Sequence, residues 1–404
     1  MINSFMGDGV MALFGVPQAL EDAPLRACRA ALLIHERLAH QATEIETSYG
    51  LRPWLRIGIN SGLAVVARVE AGQSVGVTAL GDTTNLAARL QALAEPGTVL
   101  LSEAVQRLVE GMVQSRFVGE HQIKGKTEPQ LVYRLEAVYR GAQRFDAALN
   151  RGLTAYFGRD QELKTLQRCL AKTSTGIQVI DISGEPGIGK SRLLHEFRQS
   201  IGKASVIMMS GSCSLEDQQT PFLPFIEIVR RSFGVAAGED QTKVACKLDG
   251  GLKALGIATA RNLGLLLNLL GLKPPEDSLQ GLDGALIGFW TRDLLQQLLK
   301  VRCQLSPVIM AIEDLHWVDS ASEDLLNQMA TISERLPLMI LHTRRPEYQP
   351  PWFGRAEVSH LPLQPLSKAE TAHIIEARFA ANALPEELRQ LVSAKAEGNP
   401  LFAE

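Results

Sequence analysis

Apolar positions along the chain follow two rhythms, short strand-length runs and longer stretches at helical spacing. Near the start, VMALF over 10–14 follows the Gly7-Asp8-Gly9 turn and predicts a strand. Over 21–38, Leu25, Cys28, Ala31 and Leu32 recur at helical intervals, which predicts an amphipathic helix. The runs 55–60 and 63–69 predict two strands joined at Ser61-Gly62. A helix over 82–94 is stopped by Pro96-Gly97, a strand over 98–102 follows, and 130–137 closes the block as a strand. A polar stretch over 140–156, containing Arg and Ala, reads as a linker after a first domain over 1–139.

The second block alternates again, with a helix near 161–172, a strand over 178–182, a glycine-rich turn and another helix. Residues 224–298 read as mostly helical with glycine joints, and the runs 308–312 and 338–341 have the length of buried parallel strands. Strands separated by helices predict a parallel sheet with crossover helices. The chain therefore reads as α/β, with a core over 157–350 and a helical lid region over 351–404.

Composition narrows the class. A length of 404 residues fits two or three domains, each able to bury its own core. Lys and Arg total 41 against 44 Asp and Glu, a net charge of −3, which excludes a strongly basic nucleic-acid binder; no helix-turn-helix is visible either. The five cysteines are far apart with no CxxC pair, which points to inert thiols in a reducing, cytoplasmic compartment. The most apolar run, 263–272, is interrupted by Asn268 and is half the ~20 residues of a spanning helix, so no membrane segment is expected. The first residues carry no basic region and reach Asp8 early, unlike a signal peptide.

GEPGIGKS over 184–191 matches GxxxxGK[ST], with a β-branched strand leading in and a helix leading out. Gly184, Gly187 and Gly189 let the backbone wrap closely enough for its N–H groups to reach phosphate oxygens. Lys190 is expected on the β and γ phosphates of ATP and Ser191 on Mg²⁺. In VIMAIED over 308–314 two carboxylates end an apolar strand. Order alone assigns Glu313 to the metal and Asp314 to the attacking water.

Five stretches in order then carry a resemblance: FGRDQEL (157–163), the phosphate loop, EDLHWVD (313–319), HTRRPE (342–347) and GNPLF (398–402). The block resembles the AAA/STAND-type signalling ATPases. The resemblance implies that Gly158 and Arg159 lie near the adenine, that Pro400 touches the base from the lid, and that Arg344 senses the γ-phosphate, with its neighbour Arg345 the alternative. In longer relatives a winged-helix and helical-repeat region follows.

FMGDGVMALFG (5–15), RIGINSG (56–62) and TALGDTTNLAARLQ (78–91) resemble the catalytic domain of class III nucleotide cyclases. The resemblance implies a ferredoxin-like α+β domain that converts ATP to cyclic AMP and pyrophosphate with two metal ions, Mg²⁺ or Mn²⁺. It implies that Asp8 binds metal, that Asn85 orients the ribose and Arg89 neutralises the phosphates, that Thr78 selects adenine and that Lys124 meets the triphosphate. Asn85 and Arg89, four apart, share one helix face. The family's first metal aspartate is expected on an opening strand before Met1, and Ser4 stands where the family has an adenine-selecting lysine, so the chain is expected to be a fragment. Active sites of the family form between two domains, which implies a dimer through this block or an intact cyclase partner. The overall expectation is a signalling adenylate cyclase fused to a regulatory ATP-binding domain. The alternative is an inactive cyclase module serving as dimerisation scaffold for an ATP-dependent switch.

Overall fold

The glycine-flanked start of the chain forms two antiparallel strands, β1 (Ile2–Met6) and β2 (Gly9–Ala12), in the computed structural model. The structure describes residues 2–6, 9–16, 22–71, 74–126, 128–139, 145, 149, 153–202, 206–215, 218–236, 238–331, 335–355, 357–378 and 385–403; for 2–6, 65–71, 74–80, 378 and 386 it describes the backbone only. Two units follow one another, residues 1–153 and 154–404.

The first unit continues with α1 (Ala23–Tyr49), β3 (Ile57–Ile59), the hairpin β4 (Val65–Ala71) and β5 (Ser74–Leu80), α2 (Asp82–Leu93), β6 (Val99–Ser102), α3 (Glu103–Val109), β7 (Val113–His121) and β8 (Gln130–Val138). Helix α1 runs past the predicted end because nothing breaks it before Gly50, whose φ of +69° closes it. The four-stranded sheet has the order β3-β6-β8-β7. Strand β6 is buried on both faces: Val99 and Leu101 share a core with Leu25 and Cys28 of α1, while Leu100 joins Leu86 and Leu90 of α2. Helices thus cover both sides. Helix α2 lies so close to β3 that a Cβ on Gly58 would stand 2.3 Å from the Ala87 oxygen and the Gln91 nitrogen.

The second unit contains α4 (Asp160–Lys172), β9 (Gln178–Ser183), α5 (Lys190–Ile201), β10 (Ile207–Ser212), α6 (Leu223–Ser232), α7 (Gln241–Ala254), α8 (Ala260–Leu269), α9 (Gly284–Leu305), β11 (Val308–Glu313), α10 (Ser320–Ala330), β12 (Leu338–Arg344), β13 (Val358–Pro362), α11 (Lys368–Arg378), α12 (Glu386–Ala396) and α13 (Pro400–Ala403). The sheet is parallel, in the order β10-β11-β12-β9-β13. Alternate residues feed opposite cores: Val308, Met310 and Ile312 face the helices α6–α10, while Ile309 and Ala311 join Leu166 of α4 and Phe197 of α5. That is the physical reason these strands read as unbroken apolar runs.

Two strands of this sheet were not anticipated. In β10, Ser210, Gly211 and Ser212 dilute the pattern, yet the glycine is required, since a Cβ there would lie 2.2 Å from the Pro224 oxygen of α6. Strand β13 (VSHLP) adds an edge to the core sheet from within the region expected to be a helical lid. All five cysteines are free and only Cys246 is exposed; burial pushes the Cys28 thiol up to about 12. Among the described residues no helix is long and apolar enough to cross a membrane.

Candidate nucleotide sites

Strand β9 ends at Ser183 and helix α5 begins at Lys190, so the loop 184–189 turns between a buried strand and a helix N-terminus. Gly187 and Gly189 make that turn at φ of +80° and +98°, which side chains rarely adopt. Lys190 is buried, and its Nζ donates to the carbonyl oxygens of Gly184 at 2.8 Å and Glu185 at 3.0 Å, which hold the ammonium at the loop. The Ser191 hydroxyl donates to Glu313 Oε2 at 2.6 Å, joining the start of α5 to the end of β11 across the intervening β12. One hydroxyl and one carboxylate side by side are the hard oxygen donors that Mg²⁺ takes alongside water and phosphate oxygens, so these residues fit the expected cation.

Asp314, next along, is held at φ +55°, with its N–H donating to Thr343 Oγ1 of β12 at 2.9 Å. Burial first, and then the charges of Asp314, Asp319 and Glu227, push the Cys213 thiol well up, so acid charge is concentrated at the carboxyl ends of β10 and β11. Asp319 Oδ1 accepts from Ser322 N–H at 2.9 Å, capping α10, and from Phe222 N–H at 3.1 Å, tying down the start of α6. His316 and Trp317 lie against each other with ring centroids 4.9 Å apart, and the Arg345 guanidinium stands 5.6 Å over the Trp317 ring.

Of the expected base-side residues, Arg159 and Pro400 approach the same loop, whereas Gly158 packs on Glu370 and Leu366. Arg159, at 6% exposure, donates from Nη2 to the Ile188 carbonyl at 3.3 Å and the Gln364 carbonyl at 2.6 Å, bridging the loop to the chain after β13. A Cβ on Gly158 would meet Glu370 at 2.6 Å. The GNP segment sits directly on the loop: Asn399 Nδ2 donates to the Pro186 carbonyl at 2.8 Å, and a Cβ on Gly187 would meet Asn399 Oδ1 at 2.6 Å. Pro400 Cγ would be 4.0 Å from a Cβ on Gly189.

In the first unit, Asn85 is exposed and Arg89 half-buried one turn apart on α2. The turn after β7 comes up against that helix. A Cβ on Gly125, at φ +79°, would lie 3.3 Å from both terminal nitrogens of Arg89, and Lys126 pairs with Asp82 at the start of α2. Lys124, in the same turn, is exposed. Asp8 falls outside the described residues, and Thr78 lies on β5 and Ser4 on β1, where only the backbone is described.

Residues 4–137 match the adenylate and guanylate cyclase catalytic domain family, and residues 155–341 match the AAA ATPase domain family. The first match falls within the first unit and the second within the second. An uncharacterised protein of Rhizobium meliloti is 29% identical over 404 residues, covering 98% of this chain and 38% of that protein. Adenylate cyclase 1 of the same organism is 36% identical over 149 residues, covering 36% of this chain and 22% of that protein. The chain thus spans 38% and 22% of the lengths of these relatives. Among solved structures, the adenylyl cyclase CyaB from P. aeruginosa is 26% identical, with 35% of this chain and 74% of that chain covered and a TM-score of 0.33. The signal transduction ATPase with numerous domains and a tetratricopeptide repeat sensor from Pyrococcus horikoshii is 17% identical, with coverages of 62% and 29% and a TM-score of 0.33.

Within the ATPase domain, one expected site residue has other work. Arg344 is buried and pairs through Nε and Nη2 with the two carboxylate oxygens of Asp181, each at 2.8 Å, while its Nη1 donates to backbone carbonyls of the following turn. The guanidinium is thereby committed to protein groups, whereas Arg345 is half-buried beside Trp317. Burial alone would raise the Asp181 carboxyl, but His342, Arg344 and His360 around it reverse that and hold it well below the usual carboxylate range. Sequence reasoning missed Asp181, Thr343 and Asn399. A polar residue inside an apolar strand, as Asp181 is in QVIDIS, was the available signal for the first. Asn399 lay inside the quoted GNP motif, but its partner is 213 residues away in sequence.

Proposed function

We propose that the chain is part of a signalling nucleotide cyclase that converts ATP to cyclic AMP and pyrophosphate, with a fused ATPase domain whose nucleotide state gates the cyclase. The observation that carries the reading is the Ser191 hydroxyl on the Glu313 carboxylate at 2.6 Å, beside the buried Lys190, in the same chain as a cyclase-family domain. In the ATPase domain Lys190 neutralises the β and γ phosphates, Ser191 and Glu313 hold Mg²⁺, and Asp314 orients the attacking water. Because Arg344 is committed to Asp181, the γ-phosphate sensor in this reading is Arg345. Gly158, Arg159 and Pro400 flank the base, and the Asn399 contact closes the lid over the loop.

In the cyclase domain, Arg89 and Lys124 share the triphosphate, Asn85 orients the ribose so that its 3′-hydroxyl faces the α-phosphate, and Thr78 reads the purine. Asp8 is the metal ligand of this half; the cation, Mg²⁺ or Mn²⁺, supplies positive charge opposite the attacking and leaving oxygens when bound. The packing of Arg89 on the Gly125 turn supports a common phosphate end for Arg89 and Lys124. The domain works as a dimer or beside an intact cyclase partner, in the cytoplasm.

The test separates the two activities. The chain is incubated with ATP or GTP and Mg²⁺ or Mn²⁺, and cyclic nucleotide is resolved from diphosphate by chromatography. With an intact cyclase partner added, cyclic AMP above the partner's own output that disappears in Arg89→Ala, and ADP and labelled-ATP retention by the chain itself that disappear in Lys190→Ala, are the expected results. Undiminished ATP binding in Lys190→Ala sinks the phosphate-loop assignment, and cyclic GMP in place of cyclic AMP sinks the substrate assignment.

A further inference from the structure

Asp181 is a buried carboxylate that neither catalysis nor nucleotide binding uses. It stands on β9 just ahead of the phosphate loop, at 1% exposure, and both neighbouring strands send side chains to it. From β12 come His342, with Nε2 3.1 Å from Oδ1, and Arg344, whose Nε and Nη2 reach the two oxygens at 2.8 Å. From β13 comes His360, with Nδ1 2.9 Å from Oδ2. The rest of the Arg344 guanidinium points the other way in bonding terms. Its Nη1 donates to the carbonyl oxygens of Arg345 at 3.1 Å, Pro346 at 3.2 Å and Tyr348 at 2.6 Å. The Tyr348 hydroxyl in turn bonds Glu323 of α10, the helix that follows the Glu313-Asp314 turn.

One planar, rigid side chain therefore has one edge on the strand that leads into the phosphate loop and the other on the turn that carries Arg345. We propose that Arg344 is a positioning residue: anchored on Asp181, it fixes the 345–348 turn relative to the phosphate loop and so sets how well Arg345 meets the terminal phosphate of ATP. This rests on the reading of Arg345 as the sensor. A lysine at 344 has a single point charge, which can serve the carboxylate or the three carbonyls but not both edges at once. A sensor displaced by about 1 Å loses most of its grip.

The experiment measures equilibrium binding of ADP and of a non-hydrolysable ATP analogue to the full chain, for the parent, Arg345→Ala, Arg344→Lys and the double variant. Arg345→Ala should cut the preference for the triphosphate about tenfold, one charge-assisted contact, with ADP affinity within about twofold. Arg344→Lys should cut it to a similar degree, again sparing ADP. The double variant should lose no more than Arg345→Ala alone, the non-additivity expected of one residue acting through another. A preference unchanged in Arg344→Lys, an equal weakening of both nucleotides, or a double variant that loses the product of the two single effects overturns the inference. Lys190→Ala separates the two ideas: binding that survives it removes the phosphate-loop reading itself. Binding that disappears in Lys190→Ala, together with a preference unmoved by Arg345→Ala, leaves that reading intact and overturns this one. If Arg344→Lys does not fold, Tyr348→Phe loosens the same turn by one hydroxyl and should lower the preference about threefold; no change there also overturns the proposal.

Discussion

On the proposed reading of the GNP segment as part of a lid over a phosphate loop, replacing Asn399 by alanine removes two hydrogen bonds where they meet, Nδ2 to the Pro186 carbonyl at 2.8 Å and Leu401 N–H to Oδ1 at 3.1 Å. The first joins the GNP segment to the loop itself, and the second is local to the segment's own turn. An intramolecular hydrogen bond contributes about 1 kcal/mol net, and water replaces part of the local one at a half-buried position, so the change costs about 1–2 kcal/mol of lid closure. At 1.4 kcal/mol per factor of ten, that is about 5- to 30-fold in the ratio of closed to open lid. A nucleotide held under the lid leaves when the lid opens, so the loss falls on dissociation. Stopped-flow chase of a fluorescent ADP from the full chain should show release about 5- to 30-fold faster, with association within about twofold of the parent. Asn399→Asp keeps the acceptor for Leu401 but sets an anion against the Pro186 carbonyl, so its release should be faster still. Release unchanged in both variants, or an aspartate variant slower than the alanine one, would refute the reasoning.

Two adjacent glycines of α7 should respond oppositely. Nothing lies within 4 Å of a Cβ on Gly250, so Gly250→Ala should stabilise the ATPase domain by about 0.5–1 kcal/mol. A Cβ on Gly251 would stand 2.4 Å from the Phe233 ring, so Gly251→Ala should destabilise it by about 1–3 kcal/mol; urea midpoints in the reverse order contradict the packing of α7. Gly58→Ala sets its Cβ against backbone atoms of α2 that cannot swing aside, and should lower the urea midpoint of the cyclase domain by about 3 kcal/mol equivalent. A midpoint within error of the parent excludes that close approach. Burial lowers the pKa of His342, so the folded domain leaves it neutral where the unfolded chain binds a proton. Its contribution to stability is therefore present above the unfolded pKa of ~6.5 and is lost as pH falls below it, by up to about 1.4 kcal/mol per pH unit. Asp181, depressed in the folded state, adds its own loss only below the unfolded carboxylate value of ~3.9. Denaturation between pH 6.5 and 5 should thus be steeper in pH for the parent than for His342→Gln, and equal slopes contradict the assignment.

Much of the molecule was legible from the amino acids. The turn over 184–189 was legible because a chain that passes from a strand into a helix at positive φ demands glycine, as at Gly187 and Gly189, and β11 and β12 were legible because burial on both faces demands unbroken apolar residues. Helices α2 and α4 were placed to within two residues by spacing and breakers. Strands β1, β5, β7, β10 and β13 were not. Beside one buried core residue each, Val113, Met209 and Val358, the strands β7, β10 and β13 consist largely of residues that are exposed, half-buried or set against closely approaching backbone, as Gly211 is against Pro224, and such environments impose no periodic pattern.

What the sequence by itself determined was the chemistry available and its local setting: two nucleotide-binding domain families, a glycine loop before a helix, Glu313 and Asp314 at a strand end, and Asn85 and Arg89 on one helix face. What only the tertiary structure decided was which of two adjacent arginines is committed elsewhere, which acid meets Ser191, and what the lid touches. Arg344 and Arg345 are the same residue type one position apart, so no composition or spacing distinguishes them. The difference lies in Asp181, 163 positions upstream and brought beside Arg344 by parallel pairing of β9 with β12. Ser191 finds Glu313 over a separation of 122, and Asn399 finds Pro186 over 213. Such partners are set by strand order and register, which long-range burial fixes and no local stretch of residues records.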